Sequence, residues 1–154
     1  MCSSDLAGWN PAVPPPPPPS MQAQIAVDNS ASGTVYKGLA IASTTTGDFL
    51  YASDFHHGRV DVFNSAFAAV QIPGAFTDSA LPAGYAPFGI QNIGGTIYVT
   101  YALQDADAHN DVAGVGHGFV DAYESKDTLF FTAGPGGEHH GLFGTIVPAP
   151  PPAR

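Results

Sequence analysis

Residues 38–41 read Gly-Leu-Ala-Ile, residues 49–53 read Phe-Leu-Tyr-Ala-Ser, and residues 58–63 read Gly-Arg-Val-Asp-Val-Phe. The first run is short and apolar, which is typical of a strand buried on both faces, and the second alternates as the next strand of a sheet does. The glycine of the third run favours a turn that brings the chain back antiparallel, with Val60 and Val62 on one face and Asp61 and Phe63 on the other. Together the three runs predict one small antiparallel sheet.

The same pattern returns later in the chain. It reads Phe-Gly-Ile-Gln at 88–91, Thr-Ile-Tyr-Val-Thr at 96–100 and Gly-Phe-Val-Asp-Ala-Tyr at 118–123. Gly38 and Gly89 lie 51 positions apart in the sequence, close to the spacing of about 40–50 residues in β-propeller repeats. Residues 142–147 resemble the opening of a third copy.

A single sheet of this size leaves both its faces uncovered, so copies must stack. The pattern therefore predicts an all-β fold that is a partial β-propeller of about two to three blades, with a β-sandwich as the alternative. We expect antiparallel pairing of 49–53 with 59–63 through a turn at His56, His57 and Gly58, and of 96–102 with 118–123. Apolar groups on the unstacked faces are expected to drive association.

Composition agrees with strands and excludes several functions. Charged residues make up 11% of the chain, which also contains 18 Gly and 15 Pro, and both of these residues disfavour helices. The net charge is −9 with only four scattered bases, so neither nucleic-acid binding nor attraction to an anionic membrane surface is expected. No apolar run approaches the ~20 residues of a membrane-spanning helix, no signal peptide is visible, and the single Cys2 has no partner for an internal disulfide.

Changes in composition along the chain suggest four regions. Residues 1–6 resemble a translated sequencing-adapter remnant and are interpreted as a non-native leader. Residues 7–24 are interpreted as a blade remnant followed by a proline-rich loop, since 14–19 is an unbroken proline run that favours polyproline II. Residues 25–147 are the propeller fragment, and the proline-rich residues 148–154 are expected to be a disordered tail.

Several segments carry a resemblance to a known family. Ile-Ala-Val-Asp-Asn-Ser at 25–30, Pro-Phe-Gly-Ile-Gln-Asn at 87–92 and Gly-His-Gly-Phe-Val-Asp at 116–121 are similar to conserved hypothetical bacterial propeller proteins that often carry a PEP-CTERM sorting signal. The resemblance implies a complete six-bladed, NHL-like propeller more than twice this length, with the missing blades of the full-length chain as partners of this fragment. It also implies an extracytoplasmic, secreted location in bacteria, and it supplies no reaction.

One polar loop is a candidate calcium site. Asp105, Asp107 and Asp111 recur within a few positions, and carboxylate oxygens are the ligands that calcium prefers. However, Asn110 stands at the sixth position of the loop pattern, where glycine is needed, and Gly116 stands at the twelfth, where a bidentate Glu is needed. A solvated acidic loop is the preferred interpretation, with these three aspartates as weak metal candidates.

The remaining polar residues favour structural roles. The pairs His56–His57 and His139–His140 are interpreted as surface turn residues, and Asp54 and Asp61 are expected to accept turn N–H groups or to pair with Arg59. Trp9 is interpreted as a blade-packing anchor. Neither a nucleophile-elbow serine motif nor a phosphate-binding loop with its lysine occurs in the sequence.

Two functional hypotheses follow. The first is a binding or scaffold propeller for an unknown protein or glycan ligand, with no catalytic residues, no cofactor and no membrane insertion in this segment. The alternative is a calcium-dependent hydrolase similar to the lactonase and phosphotriesterase propellers, which depends on the acidic loop and on analogy of fold.

Overall fold

The computed structural model describes residues 4–13, 20–124, 129–133 and 142–146. These ranges contain antiparallel strands and one short 3-10 turn, Ser30–Ser32, so the all-β prediction is confirmed. No helix in the described ranges is long and apolar enough to cross a membrane. The strands are β1 (Asp5–Gly8), β2 (Gln24–Asp28), β3 (Tyr36–Thr44), β4 (Gly47–Asp54), β5 (Arg59–Asn64), β6 (Ala69–Val70), β7 (Tyr85–Ile93), β8 (Thr96–Leu103), β9 (Gly118–Glu124), β10 (Leu129–Ala133) and β11 (Leu142–Ile146).

The first sheet has the order β3-β4-β5-β6 and follows the chain without crossovers. β4 pairs with β5 from Phe49 opposite Asn64 to Asp54 opposite Arg59, which confirms the predicted pairing. Gly58 closes the turn between them with a φ of 66°, a left-handed conformation that glycine adopts without steric cost.

The second sheet has the order β11-β10-β9-β8-β7. β8 pairs with β9 from Thr96 opposite Glu124 to Ala102 opposite Gly118, again as predicted. The expected third opening at 142–147 needs correction, because β11 pairs with β10 as the outermost strand of this sheet and does not begin another one. An antiparallel neighbour needs only a hairpin-like connection, so pairing with the preceding strand is the local solution.

The two sheets stack face to face and enclose the main core. The buried side chains of this core come from both sheets: Ala40, Ala42, Tyr51, Val62, Ile90, Ile97, Val99, Tyr101 and Tyr123. Ile97 and Val99 are almost fully buried, and each such side chain contributes about 1.5–3 kcal/mol relative to exposure. Phe76 reaches across the outer side of the contact, with its ring 5.6 Å from that of Tyr51 and 5.0 Å from that of Tyr123.

Gly38 allows the backbones of β3 and β7 to approach each other. A Cβ atom at this position would lie 2.8 Å from the carbonyl oxygen of Phe88, 2.9 Å from the amide nitrogen of Ile90 and 2.9 Å from Oγ of Ser53. The Ser53 hydroxyl, which is fully buried, donates to the Phe88 carbonyl at 2.5 Å. The two sheets are therefore in backbone contact at this point, and only glycine fits there.

A hairpin of β1 and β2 covers part of the opposite face of the first sheet. Leu6 is buried there in a small cluster with Tyr36, Ala52 and Phe63. Asp5 and Leu6, which belong to the segment interpreted as a non-native leader, pair with Asp28 and Val27 and so take part in this sheet. The proline run 14–19 and the tail 148–154 lie outside the described residues.

The sequence predicted that the strand at 38–41 is buried on both faces, but only one of its faces is buried. Ala40 faces the second sheet and is buried, whereas Leu39 and Ile41 point the other way and are exposed. The hairpin packs near Tyr36, Ala52 and Phe63 and leaves Leu39 and Ile41 at least half exposed. An apolar run shows that a strand can be covered on both faces, but covering requires a neighbouring sheet on each side.

Candidate functional site

The acidic loop connects β8 to β9 and is closed by its own polar groups. Oδ1 of Asp105 accepts a hydrogen bond from the His109 amide at 2.8 Å, and Oδ2 accepts from Nδ2 of Asn110 at 3.2 Å. The backbone bond to His109 is the largest of several that hold the pKa of Asp105 below its ordinary value. The Asp105 carboxylate therefore closes this loop by accepting hydrogen bonds from within it.

The three candidate calcium ligands do not converge. Asp105 is half-buried in the loop closure described above, while Asp107 and Asp111 are exposed. In the part of the chain that the structure describes, no three His, Cys, Asp or Glu side chains lie close enough together to hold a metal ion. The described residues therefore give no geometric support to the calcium alternative, and the solvated acidic loop stays the preferred interpretation.

The densest polar network lies instead at the turn between β4 and β5. Asp54 is fully buried, and its Oδ1 accepts from the amides of Val35 and His57, each at 3.3 Å. Its Oδ2 lies 2.6 Å from Nδ1 of His57 and 3.5 Å from Nη2 of Arg59. These four contacts fix the turn to the start of β3.

The network continues along β5 to a second carboxylate. Arg59 donates from Nε to Oδ1 of Asp61 at 2.7 Å, and Tyr36 donates from its hydroxyl to Oδ2 of Asp61 at 2.9 Å. The hydrogen bond to Asp61 is the main reason that the pKa of Arg59 is raised, and burial raises the pKa of Tyr36. The structural roles predicted for Asp54 and Asp61 around Arg59 are confirmed.

A carboxylate that holds a histidine ring also orients the histidine of a catalytic triad, which needs in addition a nucleophile beside the ring. His57 lies in an exposed turn beside His56, and their rings meet edge to face at 4.9 Å. No hydroxyl or thiol of the described residues hydrogen-bonds to the His57 ring, whose polar contact is with Asp54. The pair stabilises the turn, as expected for surface turn histidines; His139 and His140 lie outside the described residues.

A groove of about 460 Å³ runs along the outer edge of β5. Its lining includes Arg59 and Asp61 of β5 and, from the segment after β6, Ile72, Phe76 and Thr77. β6 pairs with β5 only at Val62 and Phe63, so the Arg59 end of the β5 edge has no strand beside it among the described residues. The groove therefore combines a charged pair, apolar side chains and open backbone.

A second groove, of about 360 Å³, separates the hairpin from the first sheet and is mostly apolar. Trp9 and Phe67 line it together with Leu39 and Leu50. Trp9 is 59% exposed, and its indole N–H donates to the Ser20 carbonyl at 2.8 Å. The interpretation of Trp9 as a blade-packing anchor is corrected: the ring borders the open groove between the hairpin and the first sheet and is not packed into a core.

A buried carboxylate that the sequence did not predict as a site lies between the two sheets. Asp121 accepts from the Tyr123 hydroxyl at 3.2 Å, and the hydroxyls of Tyr101 and Tyr123 are 2.6 Å apart. Burial first, and then the charge of Asp78, raises the pKa of Asp121 to about 6. The internal repeat is the sequence feature that indicates this residue, since Asp61 and Asp121 occupy the same place in the Gly-x-Val-Asp run.

Comparisons with known proteins give relatives without an assigned activity. The chain is similar to three proteins of Acanthamoeba polyphaga mimivirus: uncharacterized protein R648 (31% identical over 62% of this chain), R640 (28% over 69%) and L690 (32% over 63%). The aligned stretches span between 20% and 25% of these relatives' lengths. No protein-family model matches the chain, and no solved structure matches it.

These relatives overturn the resemblance drawn from the sequence. The chain was likened to bacterial NHL-like propeller proteins, but the similarity found is to viral proteins, so that assignment is wrong. One of the segments that suggested it, residues 87–92, lies in β7, whose backbone approaches β3 at Gly38. This packing requirement does not by itself indicate a family. The extracytoplasmic location expected earlier depended on that resemblance and has no support of its own.

Proposed function

We propose that the chain forms two consecutive, stacked blades of a β-propeller, with the β1–β2 hairpin as part of a preceding blade, and that it serves as a non-catalytic binding scaffold. The argument for stacked blades comes from comparing equivalent positions in the two sheets. Aligning Gly38 with Gly89 pairs Leu39 with Ile90 and Ala42 with Ile93. In a stack, each sheet presents one face to the sheet before it and the other to the sheet after it.

The main support for the proposal is the difference in solvent exposure between equivalent side chains of the two sheets. Ile90 is 9% exposed because the first sheet covers it, whereas its equivalent, Leu39, is 50% exposed. On the other face the order is reversed: Ala42 is 3% exposed under the second sheet, and its equivalent, Ile93, is 56% exposed. Burial thus depends on which sheet a residue belongs to. A stack that continued in both directions would cover Leu39 and Ile93 as well.

The scaffold role is supported by the way the polar groups are used. The Asp54, His57 and Arg59 side chains satisfy one another and the turn backbone, and Asp105 closes its own loop. The groove beside β5 offers the charged pair Arg59–Asp61 next to apolar side chains, which suits a protein or glycan ligand. The blades beyond these two, as well as such a ligand, are the partners we propose.

Two experiments test this proposal. In isotope-labelled protein, the stack predicts nuclear Overhauser contacts between the Asn92 side-chain amide and Ile41, since Nδ2 of Asn92 donates to the Ile41 carbonyl at 2.9 Å across the sheets. Their absence would show that the sheets are not stacked in this way. For the scaffold role, the protein is assayed with a lactone and a phosphotriester, with and without calcium. We expect no turnover above buffer, and calcium-dependent turnover would establish the hydrolase alternative instead.

A further inference from the structure

The internal repeat places a carboxylate at the same position in both sheets, but with different partners. Aligning the two Gly-x-Val-Asp runs pairs Asp61 with Asp121. The residue two positions earlier is Arg59 in the first run and Phe119 in the second. Arg59 donates to Asp61 at 2.7 Å, whereas the ring of Phe119 packs against that of Tyr85 at 4.8 Å. The cation that pairs with the first carboxylate therefore has no equivalent in the second run.

Asp121 is almost fully buried and is surrounded by tyrosines and one further carboxylate. The Tyr123 hydroxyl donates to Oδ2 of Asp121 at 3.2 Å and lies 2.6 Å from the Tyr101 hydroxyl. Burial first, and then the charge of Asp78, raises the pKa of Asp121 to about 6. Among the described residues, the titratable groups that face this carboxylate are thus two tyrosines and Asp78, and none of them is a cation. Ionising a buried carboxylate without a cation is costly.

A segment without strand structure lies against these tyrosines. Residues 71–83 lead from β6 towards β7 and are called the connecting segment. The Phe76 ring is 5.0 Å from that of Tyr123 and 5.6 Å from that of Tyr51, and Leu81 packs against the same core. Phe76 has a φ of 56°, a left-handed conformation that costs free energy in a residue other than glycine. The aromatic contacts offset this cost while the ring is docked.

The hydrogen bonds of the connecting segment are local. The Thr77 hydroxyl donates to the Gly74 carbonyl at 2.7 Å, and the Ala80 amide donates to Oδ1 of Asp78 at 2.8 Å. Because the segment belongs to no strand, side-chain packing holds it on the two sheets. It can therefore leave them without breaking the pairing of any strands.

We propose that the connecting segment is a pH-sensitive strap, which stays docked while Asp121 is protonated and is released when Asp121 and Asp78 are both ionised. Release gives the ionised carboxylate access to water and separates it from a like charge. Phe76 and Thr77 line the groove beside β5, so the shape of this groove changes with the strap. The strap depends on the contacts described above, while its use in controlling a ligand rests on the proposed binding role.

The direction of the switch follows from the linkage between protonation and docking. The pKa of Asp121 is about 6 with the segment docked and approaches the ~3.9 of an ordinary Asp as the carboxylate becomes exposed. Docking is therefore fully favoured below about pH 4 and weakens as the pH rises through 6. Between pH 5 and pH 7.5, the ratio of docked to released chains should fall about fivefold to tenfold, depending on how completely release exposes the carboxylate.

Hydrogen exchange followed by nuclear magnetic resonance tests the strap without any ligand. The Ala75 amide donates to the Ile72 carbonyl within the segment at 3.1 Å and is the reporter, while the amides of β8 report unfolding of the whole chain. Protection of Ala75, relative to an unstructured peptide at the same pH, should fall about fivefold to tenfold between pH 5 and pH 7.5 and stay below that of β8. A pH-independent value, or protection equal to that of β8, would overturn the proposal. The Asn92–Ile41 contact, measured in the same samples, tests the blade stack separately.

Three variants and a control assign the effect to the carboxylates. Asp121→Asn should remove most of the fall because the amide stays neutral, and Asp78→Asn should reduce it less, since burial is the larger cause of the raised pKa of Asp121. Phe119→Arg supplies the cation that Arg59 provides in the first sheet and should also reduce the fall. Asp48→Asn, at an exposed position of β4, should behave like the unmodified chain. A fall that persists unchanged in Asp121→Asn would show that another group titrates, and the proposal would be wrong.

Discussion

Replacing Gly38 by alanine tests the backbone contact between the sheets most directly. The added methyl group would lie 2.8 Å from the Phe88 carbonyl oxygen and 2.9 Å from the Ile90 amide nitrogen. Both are backbone atoms held in a sheet, so neither can rotate away. The sheets must separate by several tenths of an ångström, and the buried Ser53–Phe88 hydrogen bond lengthens with them.

The expected cost follows from these contacts. Overpacking a closely packed contact costs about 1–3 kcal/mol, and disturbing the Ser53 bond adds to it. Against this, a Gly-to-Ala change stabilises by about 0.4–1 kcal/mol through the unfolded chain where the backbone conformation allows alanine. The overpacking term wins, and we expect Gly38→Ala to lower the free energy of unfolding by about 1–3 kcal/mol.

Gly89→Ala is the matched control, because it makes the same chemical change at the equivalent position of the other sheet. There the methyl group meets only Oγ1 of Thr100, at 2.9 Å, and this exposed side chain can rotate. Urea unfolding at low protein concentration should show Gly89→Ala within about 1 kcal/mol of the unmodified chain. Equal destabilisation by both variants would refute the claim that β3 and β7 are in backbone contact.

Further predictions concern the carboxylates. Asp121→Asn should raise the unfolding midpoint at pH 7.5 and lose this advantage towards pH 4. The pKa of Asp121 is raised to about 6 in the folded protein, above the ~3.9 of an unfolded Asp, so the contribution of Asp121 to stability is full below about pH 4 and is lost as the pH rises through 6. A pH-independent difference in thermal melts would contradict this. Asp54→Ala should cost at least about 2 kcal/mol in chemical denaturation, since the buried Val35 amide loses its acceptor at about 1–3 kcal/mol and the contacts of Asp54 with His57 and Arg59 are lost as well, whereas the exposed Asp48→Ala should change little. Calcium titrated into the chain should give no saturable heat in calorimetry, and heat that disappears in an Asp105→Asn, Asp107→Asn double variant would instead establish a calcium site in this loop.

The candidate sites divide according to the range of their interactions. The network of Asp54 and Asp61 around Arg59 was predicted correctly, because all three residues belong to one turn and its flanking strands. Asp121 was missed, because its raised pKa arises from burial against the other sheet and from the charge of Asp78, about forty residues away. The expected packing of Trp9 is wrong, since the spacing between the hairpin and the first sheet leaves the ring beside an open groove.

The sequence by itself determined the strands, the turns and the pairing of neighbours. Side chains alternate along a strand and glycines allow the turns, so the β4–β5 and β8–β9 pairings are readable within a few residues of each turn. Only the tertiary structure decided which face of each sheet is covered. Leu39 and Ile90 occupy equivalent positions in similar apolar runs, yet one is exposed and the other is buried. The physical reason is that burial is a property of the neighbouring sheet, and a repeat in the sequence specifies each sheet without specifying what lies beside it.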